Sequence, residues 1–231
     1  MLTLPILSRF GELVEKAENA TTEAVNQGRR VQEPAMTDLF LDTLETLIKE
    51  DELLNKHAKF QTKILGDRGR NSEERRYGSD FVAILTVNYD NFSITKGLLS
   101  QSKTERSGFR VIKHQGRITS VGFPTNPERE KLEEQIKDMR SVTSASFVTI
   151  IGAEGIAMVP SAEVIGLTGQ GELQAIGAAK FFKDFLRCEF GDTDLTAWDD
   201  KTLDRLRIRT RSRLGFLLAI SRYEDSLKKF L

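Results

Sequence analysis

Asp80, Gln101 and Lys103 are the residues of this chain whose types and spacing best suit chemistry. Lys103 ends Gln101-Ser102-Lys103, and Asp80 ends the stretch Glu74-Arg75-Arg76-Tyr77-Gly78-Ser79-Asp80. On an extended strand, period-two alternation puts Gln101 and Lys103 on one face and Ser102 on the other. A carboxylate beside an amide oxygen offers hard ligands to a divalent cation, which neutralises phosphate and acidifies bound water. A neighbouring ammonium orients the attacking water or hydroxide and offsets charge developing on phosphorus. These are the groups of metal-assisted phosphodiester cleavage, with Mg²⁺ the default cation and Mn²⁺ its substitute.

Two β-prone runs, Asp80 to Val87 and Ser93 to Lys103, have to position these side chains. The link Asn88-Tyr89-Asp90-Asn91 has turn chemistry, and a hairpin paired about its centre sets Asp80 close to Gln101. Upstream, helical spacing predicts a helix from Ile6 to about Gly28 and a second from Thr37, as cap, to about Asn55. A short strand over Lys59 to Leu65 and a charged loop over Gly66 to Tyr77 follow. Downstream, Asn126 to Met139 reads as a helix, with Pro127 in its first turn and Glu128 and Glu130 near its positive end. Gly152-Ala153-Glu154 joins two strands, Ser146 to Ile151 and Gly155 to Val159. Helices are expected over Glu172 to Phe190 and Thr202 to Ile220, around a loop from Gly191 to Asp200. The order from Thr37 is helix, three strands, helix, two strands. The organisation read from this is an N-terminal helical arm over 1–36, a core over 37–160 and a C-terminal helical extension over 161–231.

That order, the Asp80 strand and Gln101-Ser102-Lys103 together resemble the PD-(D/E)xK phosphodiesterase superfamily in its D…QxK variant, over roughly Thr37 to Val159. The resemblance implies an α/β, restriction-endonuclease-like fold: a mixed central sheet flanked by helices, here with extra N- and C-terminal helices. It makes Asp80 a metal ligand, Gln101 the replacement for the usual acidic residue and Lys103 the catalytic lysine. Glu74, in E-x-x-x-G-S-D, is similar to a residue of bacterial defence nucleases and joins the catalytic set. Glu45 on the second helix resembles the acidic residue placed beside the metal, and Gln135 resembles a glutamine near metal or substrate. The chain departs from the pattern at Ser79, where Pro or a small apolar residue is usual, and at the neutral Gln101. The implied activity is Mg²⁺-dependent cleavage of DNA, with RNA left open, in anti-phage defence. A homo-oligomer or a partner-regulated complex is the expected assembly. The rival expectation is a non-catalytic module of the same fold that binds a protein or nucleic acid.

The chain of 231 residues, with 34 basic and 34 acidic side chains, is long enough to bury a full core without staples. Its one cysteine, Cys188, excludes an internal disulfide and any multi-thiolate site. His57 and His114 alone give little basis for a histidine-rich metal centre or a histidine-served serine nucleophile. Gly166, Gly169 and Gly171 lack the Gly-Lys-Ser/Thr ending of a phosphate loop. No apolar stretch reaches the roughly 18 residues that span a bilayer, and Met1 to Val14 lacks a basic leader, so a cytoplasmic setting is expected. Balanced charge still allows local basic surfaces. Arg75, Arg76 and the alternating Arg207, Arg209 and Arg211 are candidate nucleic-acid contacts; pairing of the C-terminal run with Asp192, Asp194, Asp199, Asp200 and Asp204 is the alternative.

Overall fold

The computed structural model describes residues 4–28, 33–54, 58–64, 80–89, 92–125, 127–195 and 214–221. It is a mixed α/β structure. One sheet joins β1 (Ala58–Ile64), β10 (Leu214–Ser221), β2 (Phe81–Tyr89), β3 (Phe92–Thr104), β6 (Ser146–Gly152), β7 (Gly155–Pro160) and β9 (Ile176–Gly177), in that spatial order. The pairs β2–β3 and β6–β7 are antiparallel hairpins, whereas β3–β6 and β2–β10 are parallel. A three-stranded sheet of β4 (Arg110–His114), β5 (Arg117–Phe123) and β8 (Gly171–Gln174) lies beside it.

Alternation along the central strands sorts the core into two halves. Leu98, Phe147, Ile151 and Met158 pack with α1 (Leu4–Asn26), α2 (Glu33–Glu50) and α5 (Ala178–Leu186). Their neighbours Leu99, Val148, Ile150 and Ala157 point the other way, onto α3 (Pro127–Val142) and the small sheet. A short helix, α4 (Ser161–Gly166), adds Val164 to this second half.

The parallel neighbours β3 and β6 need a crossover, and α3 supplies it, with Leu132, Ile136 and Met139 as its buried stripe. Its N-terminus therefore lies at the Lys103 end of β3. The α1 stripe of Ile6, Leu7, Phe10, Leu13, Val14 and Ala17 is fully committed to the core, so this helix is built into the body instead of standing off as an arm.

Several local expectations are corrected. Thr37 does not cap α2, which starts at Glu33; its hydroxyl instead donates to Ser102 Oγ at 3.0 Å. Gln115 and Gly116 both adopt positive φ, the two-residue turn that closes the unanticipated hairpin β4–β5. Gly171–Gln174 pairs with β5 as a strand, and the helix expected from Glu172 starts at Ala178. Leu214–Ser221, expected within a helical extension, is a strand paired on both sides. A continuous apolar run from Leu214 to Ile220 suits a doubly paired central strand as well as a buried helix, and pairing with β1 and β2 decides. The expected Gly66 to Tyr77 loop lies outside the described residues. Among the described residues, no helix is long and apolar enough to cross a membrane.

Candidate active site

The β2–β3 register pairs Phe81 with Ser100, so Asp80, one residue earlier, meets Gln101. Gln101 Nε2 donates to Asp80 Oδ2 at 2.6 Å, and the Ser102 backbone N–H donates to the same oxygen at 2.9 Å. Nε2 also reaches the Ser102 carbonyl at 3.2 Å. Bonds to an ionised acceptor are short and strong, and these two hold the carboxylate against the strand end. Gln101 is 1% exposed, Lys103 5% and Asp80 7%. With its nitrogen engaged, Gln101 Oε1 is buried and has no hydrogen-bond partner among the described residues. An oxygen left this way costs about 1–3 kcal/mol, so an orphan beside a fixed carboxylate calls for a cation or a water.

The two faces of β3 separate the predicted residues. Ser102 turns toward Thr37 on α2, whereas Lys103 acts electrostatically on Glu128 at the start of α3. Gln101 and Lys103 thus share the α3 face. Glu128 and Gln135, seven residues apart, lie on one flank of α3. On the other flank, Arg129 donates to the carbonyls of Leu167 and Gly169. Gln135 Oε1 is a second buried oxygen without a hydrogen-bond partner among the described residues. The hydrogen bond from Lys131, helped by the charges of Lys131 and Lys103 and opposed by desolvation, holds the Glu128 carboxyl below its usual range.

Glu45 stands on α2, which packs on the sheet face opposite Gln101 and Lys103. It pairs with Lys49 on α2, eight residues or about 12 Å of helix beyond Thr37, the residue that meets Ser102 on the opposite face. Glu74, Arg75, Arg76, Arg207, Arg209 and Arg211 lie outside the described residues. From the sequence alone Glu128 is an acidic first-turn residue. The signal for its nearness to Lys103 is the crossover from β3 to the parallel β6, which sets the helix start at the Lys103 end of β3.

Among the described residues, no three His, Cys, Asp or Glu side chains group as metal ligands. The donors that fit a hard cation are the Asp80 carboxylate and the orphan amide oxygen of Gln101, with water completing the shell. Comparison with family models, with curated proteins and with solved structures found no match.

Proposed function

We propose that this chain is a Mg²⁺-dependent nuclease of the restriction-endonuclease-like fold that hydrolyses phosphodiester bonds in DNA, in bacterial anti-phage defence. The observation that carries the reading is the buried Asp80–Gln101 pair, with an amide oxygen that has no partner among the described residues and Lys103 on the same strand face. The sequence of helix, antiparallel hairpin, crossover helix and parallel strand supports it.

In this reading Asp80 and Gln101 hold the cation, and Mn²⁺ substitutes for Mg²⁺. When bound, the cation supplies neutralisation of the phosphate and a more acidic water. Lys103 orients the attacking water and offsets charge growing on the phosphoryl oxygens. Its burial keeps that charge from being screened by solvent. The two Asp80 hydrogen bonds fix the carboxylate before substrate arrives. Cutting both strands requires two such sites, hence a symmetric homo-oligomer or a partner-held pair in the cytoplasm.

The test is incubation with plasmid, linear duplex, single-stranded DNA and RNA, with and without Mg²⁺ or Mn²⁺. Lys103→Ala and Asp80→Ala are expected to abolish cleavage while far-ultraviolet circular dichroism stays that of the parent. Undiminished cleavage by both folded variants removes the two residues from the mechanism. A second reading, a non-catalytic module of this fold, is favoured by the direct hydrogen bond from Gln101 Nε2 to Asp80 Oδ2. Calorimetric titration showing no Mg²⁺ or Mn²⁺ binding at millimolar concentration, together with a stable partner complex, selects that reading.

A further inference from the structure

The hairpin β4–β5 and strand β8 make a sheet of their own, whose inner face carries Val111, Val121 and Phe123 into the core. Its outer face is the floor of a cleft of about 660 Å³, within the size range of small-molecule sites. The register runs Arg110 to Gly122 to Glu172 straight across this floor, so a charge of each sign flanks a glycine. With strands about 4.8 Å apart, the two charged residues stand roughly 10 Å apart at the backbone.

Gly122 is the informative residue. A Cβ built there would meet only Arg110 Cβ at 3.6 Å and the Arg110 carbonyl at 3.9 Å, which is ordinary contact. The fold therefore does not require glycine here, and a strand interior is weakened by having one. What glycine leaves is bare backbone on which a flat group can lie. Among the described residues, the Arg110 guanidinium has no hydrogen-bond or ion-pair partner, whereas the Glu172 carboxylate is steadied by the Ser120 hydroxyl.

We propose that this cleft binds one unpaired guanine of the substrate strand next to the cleavage site, with Arg110 on its O6/N7 edge and Glu172 on its N1–H/N2–H₂ edge. The proposal rests on the nuclease reading above. Guanine carries a double acceptor and a double donor on separate edges, matching the fork of an arginine and a carboxylate on opposite sides. Adenine presents an amino group where the arginine needs an acceptor. Cytosine and thymine crowd their groups onto one edge. The cleft adjoins the candidate active site through the chain itself. Gly108, at its rim, is five residues after Lys103, and Thr125, also at its rim, is three before Glu128. Those spans cannot exceed about 18 Å and about 11 Å.

The experiment measures fluorescence anisotropy of labelled oligothymidylate strands, without metal, in which one central position is dT, dG, dA or dC. The dG strand is expected to bind about tenfold or more tighter than the others. Gly122→Val fills the floor with a strand-favouring side chain and is expected to erase the dG preference without lowering the melting temperature. Arg110→Ala and Glu172→Gln each reduce it. Equal binding of all four strands, or a dG preference that survives Gly122→Val, overturns the proposal. Free dGMP binding as tightly as the dG strand also overturns it, since the cleft then serves a soluble nucleotide. Cleavage without base preference sinks only this inference; no binding and no cleavage of any strand sinks the nuclease reading itself.

Discussion

Gln101→Glu puts a carboxylate oxygen where a donor now stands. In the parent, Nε2 sits 2.6 Å from Asp80 Oδ2 and the glutamine is 1% exposed. Losing a hydrogen bond to a charged acceptor costs about 1.5–3 kcal/mol. Two carboxylates about 4 Å apart add about 4 kcal/mol of repulsion at an effective dielectric of 20. That repulsion is capped by uptake of a shared proton, which costs about 3.7 kcal/mol at about pH 7 for a glutamic acid of ordinary pKa near 4.3. The net loss is about 5–7 kcal/mol, or roughly 10–28 °C in melting temperature for a chain of this size. The folded pair binds its proton more tightly than the unfolded carboxylates do, so the loss deepens as pH rises from about 5 to about 8. A cation between the two carboxylates reverses it. Mg²⁺ at a hundred times its dissociation constant restores about 2.7 kcal/mol. Thermal melts of parent and variant at both pH values, in chelator or in millimolar Mg²⁺, read all three effects. A variant melting within about 2 °C of the parent at alkaline pH in chelator refutes the buried amide–carboxylate contact. A variant whose melting temperature Mg²⁺ does not raise refutes the cation site.

Burial pushes the Glu18 carboxyl above its ordinary range, against the Ile156 N–H and the Lys113 charge. The stability tied to its proton is full below the unfolded value near 4.5 and is lost as pH rises through the folded value. Glu18→Gln keeps an acceptor for the Ile156 N–H, now 2.7 Å from Oε1, and is expected to gain on the parent as pH rises in urea titrations. Parallel pH profiles would count against it. Phe181 is 0% exposed, with ring centroids of Phe147 at 4.9 Å, Phe190 at 4.8 Å and Phe182 at 5.5 Å. Phe181→Ala is expected to cost about 3–5 kcal/mol, seen as a lower urea midpoint at unchanged slope. A loss under about 1 kcal/mol would show that this aromatic cluster is not a core.

The Asp80–Gln101 contact was legible because it follows from a hairpin centre and strand alternation, both local. The turn-prone link placed Phe81 opposite Ser100 within a residue or two, and the pleat alone put Lys103 beside Gln101 and Ser102 behind them. The second hairpin, around Ala153 and Glu154, was legible for the same reason. The β4–β5 hairpin carries a comparable signal in Gln115-Gly116 between β-prone runs.

Periodicity records which side chains share a face and is silent on what covers that face. Glu45 has the composition of a metal-site carboxylate, but the path of α2 across the sheet puts it on the Ser102 side, paired with Lys49. Leu214–Ser221 is apolar at almost every position, a pattern that suits burial in either conformation, and its place between β1 and β2 comes from partners some 133 to 162 residues away in sequence. The amino-acid order by itself therefore determined the local pairs and the faces they occupy, because backbone stereochemistry acts over a few residues. Only the tertiary structure decided which distant strand, helix or loop meets each face, because that choice is a sum over burial and hydrogen bonds between segments far apart in the chain.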